Sequence, residues 1–382
     1  MINIAGHYIF DGKSFLKNAY VSVDEKGTIT HISAPGDALY EKSKMLFYSG
    51  IIIPGMVNAH CHLELSGYKK SDEKHKGLSY FINSIITKRE ETLNNNRCEY
   101  YDKLMFDNGI NCVGDISNTE ISIPTKAKSR IKYHSFIELS GLDPKNIQEK
   151  LSFAKKLKNK YSEYNLKCSI VPHSFYSISA ELFKSISEIK KNSPISIHFL
   201  ESQEEIDLFF HKKGNLYDLL NKIFPEFNQF IDSSEKLNQY LSLFNHSNVI
   251  LVHNTFLKNN IIANNLNLYF CVCPKSNLFL HNQIPDKNFV LENTDNIIIG
   301  TDSMASNDNL DVFDELKTFA NIYQIYNLEK LLPMITSKAA KVLNFTNFGE
   351  IKIGNAPGIV LLENVDLQNL KLLNESSVKR II

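Results

Sequence analysis

Apolar residues recur along the chain in short runs, and the segments between the runs carry apolar positions at helical spacing. The runs predict strands at Ile51 to His62, Ile110 to Ser117, Ile131 to Leu139, Leu166 to His173, Pro194 to Leu200, Asn248 to Asn254, Asn267 to Cys273 and Asn296 to Asp302. Val249-Ile250-Leu251-Val252 and Ile297-Ile298-Ile299 are nearly unbroken apolar stretches, as expected of parallel strands covered on both faces. Amphipathic spacing predicts helices over Leu78 to Leu93, Asn146 to Lys158, Ala180 to Lys190 and Leu310 to Tyr326. Eight strand-then-helix units make an α/β fold, the (β/α)8 or TIM barrel, and place the chemistry at the C-terminal ends of the strands.

The two ends of the chain carry a different period. Met1 to Tyr48 alternates (Ile2-Asn3-Ile4-Ala5, Tyr20-Val21-Ser22-Val23) and is broken by Asp11-Gly12 and Lys26-Gly27, which are hairpin turn signals. Ile351-Lys352-Ile353-Gly354, Ile359-Val360-Leu361-Leu362 and Val378 to Ile382 look alike. Neither end has enough strands to bury a core alone, so they are expected to pair into one small β-sandwich, residues 1–50 with 346–382, beside a barrel of residues 51–345. Glu204 to His246 is long for a strand-to-helix connection and is expected to cover the mouth of the site.

Composition narrows the class of partner. The 382 residues hold 42 Lys+Arg against 42 Asp+Glu, interleaved along the chain, which gives no electrostatic case for nucleic acid or an acidic membrane. A small-molecule substrate is expected, and a homodimer is the one protein partner left open. Met1 to Lys13 lacks a basic segment followed by an apolar one, and no apolar run approaches the roughly 20 residues that span a bilayer, so a cytoplasmic location is expected. The six cysteines sit mostly inside apolar runs without a C-x-x-C pair and read as buried, reduced thiols.

The candidate chemistry begins at His60-Cys61-His62, where alternate residues of a strand point the same way and both imidazoles can reach one ion. Alone, such a pair is a weak signal, matched by many surface and core histidines. His198, His253 and Asp302 strengthen it, because each ends another predicted strand and a barrel brings those ends over one opening. Nitrogen and carboxylate donors without thiolate suit a catalytic divalent ion, zinc or iron(II), that keeps a position for water.

These residues, with His198-Phe199-Leu200-Glu201, Cys273-Pro274-Lys275-Ser276-Asn277 and the run Gly300 to Asn307, resemble the amidohydrolase superfamily over nearly the whole chain. The resemblance is to its branch of cytosine, guanine and adenosylhomocysteine deaminases. It implies metal ligands at His60, His62, His198 and Asp302, with His253 close to the metal-bound water. It also implies that Glu201 carries a proton from that water to the ring nitrogen beside the carbon under attack, while His253 and Asp302 polarise the water and Asp302 helps the departing ammonia. A carboxylate at the start of a helix is the plain alternative for Glu201, since Ser202-Gln203-Glu204-Glu205 follows. Binuclear relatives use a lysine at the C-terminal end of the fourth strand. Here that end is Val171-Pro172-His173, with Lys167 at the opposite end, so a single metal ion is expected.

Pro172 to Ser177 resembles a substrate-contacting segment of adenosine-type deaminases, which makes His173 and Tyr176 binding candidates. Glu64 is a candidate for a ribose hydroxyl or for a partner of a ligand histidine. Ser303 and Asn307 are expected to shape the loop after Asp302. Pro54 to Ser66, together with the His173 segment, is most similar to aminodeoxyfutalosine deaminases. That similarity implies conversion of aminodeoxyfutalosine to futalosine and ammonia in menaquinone biosynthesis. Deamination of methylthioadenosine or adenosylhomocysteine, or halide or amide cleavage, would use the same apparatus. A substrate carboxylate would call for a cation at the mouth, with Lys88 and Arg89 as possible but unassigned partners.

Overall fold

The computed structural model describes residues 1–37, 44–68, 70, 74–189, 192–228, 230–258, 261–262 and 267–382. In chain order its strands are β1 (Ile2–Phe10), β2 (Phe15–Lys17), β3 (Tyr20–Val23), β4 (Ile29–Ser33), β5 (Leu46–Pro54), β6 (Met56–Cys61), β7 (Ile110–Ile116), β8 (Lys132–Leu139), β9 (Lys167–Pro172), β10 (Ile195–Phe199), β11 (Val249–His253), β12 (Leu268–Val272), β13 (Ile297–Ile299), β14 (Ile359–Glu363) and β15 (Ser377–Arg380). Strands β6 to β13 form two four-stranded parallel sheets in sequential order, β6-β7-β8-β9 and β10-β11-β12-β13. Helices fill the intervals, giving a mixed α/β fold with parallel sheets. Most of their residues are buried, because helices and the neighbouring strands cover both faces.

Isolated parallel bridges join the two sheets where the candidate residues lie. His198 N donates to the His173 carbonyl at 2.9 Å, and Thr301 N and Asp302 N donate to the His60 carbonyl at 2.9 and 3.1 Å. Gly300 permits the second contact. A Cβ there would sit 2.7 Å from the Cβ of His60 and 2.9 Å from Cys271 Sγ, so a side chain would push β13 away from β6.

Strands from both chain ends share one seven-stranded sheet, in the order β15-β14-β5-β1-β3-β4 with β2 on β1. The turns at Asp11-Gly12 and Lys26-Gly27 link antiparallel neighbours, as their residues predicted. The single strand expected from Ile51 to His62 is in fact two. Ile51 to Pro54 pair with β1 and β14, whereas Met56 to Cys61 pair with β7. Gly55 lies between them, where a Cβ would meet the Asn111 side chain at 2.2 Å and the Pro357 carbonyl at 2.5 Å. Ile52 faces a small separate core with Ile4, Ile9, Val21, Val23 and Leu361, while Ile51 and Ile53 face the main core. Ile351 to Gly354, expected as a strand, is a turn whose Ile351 and Gly354 N–H groups donate to Asp11 and Ile29.

The helix predicted over Ala180 to Lys190 spans Ala180–Ser187, and Lys190 lies outside the described residues. The insertion after β10 holds helices Gln203–His211, Asn215–Ile223 and Ser234–Leu241. Among the described residues no helix is long and apolar enough to cross a membrane.

One buried ion pair fixes the turn after the first candidate histidines. Lys126 Nζ lies 2.5 Å from Asp115 Oδ2, with both side chains fully buried, and donates to Ser117 and Ser135 at 2.6 and 2.9 Å. Asp115 Oδ1 accepts the Leu63 N–H at 2.7 Å, one residue beyond His62. Lys126→Met leaves that carboxylate buried without its cation and should cost about 3–5 kcal/mol. Urea unfolding checks this; an unchanged midpoint and slope would remove the pair from the account of stability.

Candidate metal and active site

The C-terminal strand ends gather the residues that the sequence scattered. His60 and His62 end β6, His198 lies in β10, His253 ends β11, and Asp302 follows β13. His62 Nε2 lies 3.1 Å from His60 Nε2, 3.4 Å from His198 Nε2 and 3.3 Å from Asp302 Oδ1. His60 Nε2 is 3.8 Å from the same Asp302 oxygen. His60 also groups with His198 and His253 at metal-binding spacing.

Neighbours fix which atoms face inward. His198 Nδ1 lies 3.2 Å from the His173 carbonyl and 3.1 Å from Glu138 Oε1. Both are acceptors, so Nδ1 carries a proton and Nε2 is the atom turned toward His62. Asn277 Nδ2 donates to Thr255 Oγ1 at 2.9 Å, so its Oδ1 is left to accept from His253 Nδ1 at 2.9 Å, and the lone pair of His253 is on Nε2. Ser276 and Ser306 hydroxyls donate to Asp302 Oδ2 at 2.7 and 2.6 Å and turn Oδ1 toward the histidines. Burial pushes His62 down to about 3 and also lowers His60, so both rings are neutral at neutral pH. Burial opposes charge on His198 too, but Glu138 outweighs it and lifts that imidazole to about 9. Such a carboxylate behind a histidine makes it a stronger base for a cation.

These donors fit one divalent ion. Among the described residues two overlapping donor sets lie at metal-binding spacing in a largely buried space, His60 with His62 and Asp302, and His60 with His198 and His253, and neither includes a thiolate. Lys167 opens β9 and is remote from this end, as its place in the sequence predicted.

Glu201 is buried, with Oε2 at 3.7 Å from His253 Nε2 and Oε1 at 3.8 Å from His281 Nε2. Burial alone would raise its carboxyl, yet the two imidazoles outweigh it and hold it at about 2. Glu205 accepts the backbone N–H groups of Leu200 and Glu201 at 3.1 and 2.6 Å, fixing the turn that presents Glu201.

A cavity of about 640 Å³ opens on this cluster, lined by His62, Glu64, Glu138, His173, Tyr176, His198, Glu201, His253, Asp302 and Ser303. Its outer wall is apolar, from Phe81, Ile82, Ile85 and Ile86 on one helix and Leu216, Leu219, Leu220 and Ile223 on another, so the insertion after β10 does cover the mouth. Glu64 Oε2 accepts from Asn118 N, Thr119 N and Thr119 Oγ1 at 2.9–3.0 Å, tying down the turn after β7. His173 Nδ1 contacts the hydroxyls of Ser174 and Ser177 at 3.1 and 2.8 Å. Asn307 donates to the Thr301 carbonyl at 2.7 Å and to Glu315 Oε1 at 2.5 Å, the loop-shaping part expected of it.

Sequence reasoning missed Glu138, Glu205, His281 and Lys150. Glu138 stands one residue before the end of β8, the same strand-end signal that marked Asp302, and could have been found by it. Lys150 also lines the cavity, its stem lying over Gly141, and makes no ion pair or hydrogen bond among the described residues. Lys88 does not line the cavity, and the side chain of Arg89 lies outside the described residues.

Parallel strands that deliver imidazoles and a carboxylate to one covered opening describe a class, the metal-dependent hydrolases. Comparison supplies the particular family: residues 51–382 match the amidohydrolase family, and the chain belongs to it. It is accordingly a hydrolase acting on C–N bonds. An adenosine deaminase of Helicobacter pylori is 27% identical over 319 residues, 80% of this chain and 77% of that protein. A 5-methylthioadenosine/S-adenosylhomocysteine deaminase of Caldicellulosiruptor saccharolyticus is 26% identical over 374 residues, 92% of this chain and 82% of that one. The fold is similar to that of Helicobacter pylori aminofutalosine deaminase in complex with methylthio-coformycin, with a TM-score of 0.83 and 24% identity over 96% of this chain and 93% of the other. Other solved structures of this fold hold zinc.

Glu315 sets the loop after Asp302 and is itself fully buried, which pushes its carboxyl up to about 8. Between the ordinary glutamate range and pH 8 the folded chain keeps a proton that the unfolded chain has released. This contribution is therefore full at acid pH and is lost as pH rises through about 8, at up to about 1.4 kcal/mol per pH unit. Glu315→Gln should flatten the fall in unfolding free energy between pH 5 and 8; an identical slope in both proteins would contradict the assignment.

Proposed function

We propose that the protein is a metal-dependent hydrolytic deaminase of a 6-aminopurine nucleoside, converting aminodeoxyfutalosine and water to futalosine and ammonia in menaquinone biosynthesis. The observation that carries this is Glu201, a buried carboxylate that lines the cavity together with His62, His198, His253 and Asp302. His60, His62, His198 and Asp302 would hold one zinc or iron(II) ion, and when bound it supplies Lewis-acid activation of water. Glu201 takes a proton from the attacking water and delivers it to the ring nitrogen beside C6, making that carbon electrophilic. His253, with Nδ1 satisfied by Asn277, turns the lone pair of Nε2 toward the same water. Asp302, steadied through its other oxygen by two serines, takes the second proton of that water and passes it to the amine, which leaves as ammonia.

We assign nucleoside contacts to His173, Tyr176 and Glu64, which line the cavity beside the histidines. The apolar wall and Lys150, which line the same cavity, support a substituent that carries both apolar surface and an anionic group. The bridges at both seams support the two parallel sheets as halves of one eight-stranded barrel, formed by residues 51–345. The separate small core supports a sandwich of 1–50 with 346–382, in which β5 crosses the first boundary.

Ammonia release from a panel of adenine nucleosides, with and without the acidic substituent, tests the function; release from none, with turnover of a non-amine substrate, would overturn it. Glu201→Gln should retain the metal and lose at least about 10²-fold in turnover; metal loss or full activity would count against its role. Lys150→Met should raise KM for aminodeoxyfutalosine about tenfold, the value of one lost charge contact, and leave methylthioadenosine unchanged. Equal effects on both would point to the 5-methylthioadenosine and adenosylhomocysteine reading, which the length of the match to that relative supports.

A further inference from the structure

Strand β12 is the one strand of its sheet whose C-terminal end carries no candidate metal or proton-transfer residue, and the helix that follows it, Pro274–His281, accounts for this. Its first turn sends Ser276 to Asp302 Oδ2 and Asn277 to His253 Nδ1. One turn on, at i+4 from Asn277 and so on the same helix face, is His281. Its side chain is 6% exposed, its Nε2 is buried without a hydrogen-bond partner, and that atom lies 3.8 Å from Glu201 Oε1. A buried nitrogen with no partner is costly, and this one faces a buried carboxylate just beyond hydrogen-bonding distance.

We propose that His281 is a positioning residue for Glu201: it donates from Nε2 to Oε1 when substrate fills the cavity, and so leaves Oε2, on the His253 side, as the oxygen that moves the proton. Contacts of this kind are commonly long in the empty site and shorten when it is filled. Glu205 fixes the backbone of the same residue from the opposite side, so Glu201 is held at both ends. The short helix then sets three different site residues through three side chains, Asp302, His253 and Glu201. The proposal rests on the reading that Glu201 carries the proton. The packing alternative is an edge contact between His281 and Phe256, whose ring centroids are 6.3 Å apart.

Two substitutions separate these. His281→Gln keeps a donor at similar reach, whereas His281→Leu keeps bulk and apolar packing without a donor. In metal-replete protein with an adenine nucleoside, the leucine variant should lose about 10–100-fold in kcat, the usual size of a supporting-contact loss, with KM and metal content unchanged. The glutamine variant should stay within about threefold of the parent, well under the size of that loss. Crystal structures of parent and leucine variant should show the Glu201 carboxylate fixed in the first and turned away or in several rotamers in the second. A leucine variant with parental kcat, a glutamine variant as slow as leucine, or Glu201 unmoved between the two crystals would overturn the proposal. If the parent deaminates no adenine nucleoside, the function proposed above fails, and the pair of crystal structures still decides the position of Glu201.

Discussion

Everything around the site depends on histidine nitrogens and one aspartate oxygen brought together in two donor sets that share His60. Donor atoms at 3.1 and 3.4 Å from one another are kept in place because several of them are held from behind. Glu138 and the His173 carbonyl hold His198, two serine hydroxyls hold Asp302, and the Lys126–Asp115 pair holds the backbone just past His62. The fold thus orients these donors toward one another in advance. A metal binding there would meet ligands whose orientational entropy is already lost.

Backbone strain serves the same end. Leu200, His253 and Asp302 all take left-handed φ values of 43°, 78° and 60°. Such a conformation costs a residue other than glycine about 1–2 kcal/mol, and all three lie at strand ends that open on the cavity. At Leu200 it is held by the Glu205 carboxylate, and it turns Glu201 back over the opening instead of letting the strand run on. The same reversal after Asp302 lets its N–H reach the His60 carbonyl at the seam between the two sheets. Site geometry and sheet-to-sheet contact are therefore one set of interactions.

The cavity joins this polar floor to an apolar wall brought from two distant helices. Floor and wall make different demands on a ligand: the floor takes a polar ring with hydrogen-bonding edges, and the wall takes what extends from it. Helix Asn215–Ile223 stands in the long insertion after β10, so the part of the chain that departs most from a regular strand-and-helix repeat shapes the entrance.

Periodicity was enough to place seven of the eight central strands within a residue or two at most boundaries, and strand-end residues to bring His60, His62, His198, His253 and Asp302 to one end of them, whereas Glu201 was singled out by the family resemblance. That much is local, because apolar runs report burial and alternation reports which side a residue faces. The run from Ile51 to His62 misled, since nothing within it shows that its first half pairs with β1 and β14 near opposite ends of the chain. His281 and the Lys126–Asp115 pair were illegible for the same reason: each residue is unremarkable among its sequence neighbours and acquires meaning from a partner on another element. The sequence by itself determined which atoms could bind a cation and which segments would be strands; only the tertiary structure decided which lone pairs face inward, because a histidine's tautomer is set by whatever stands behind its ring.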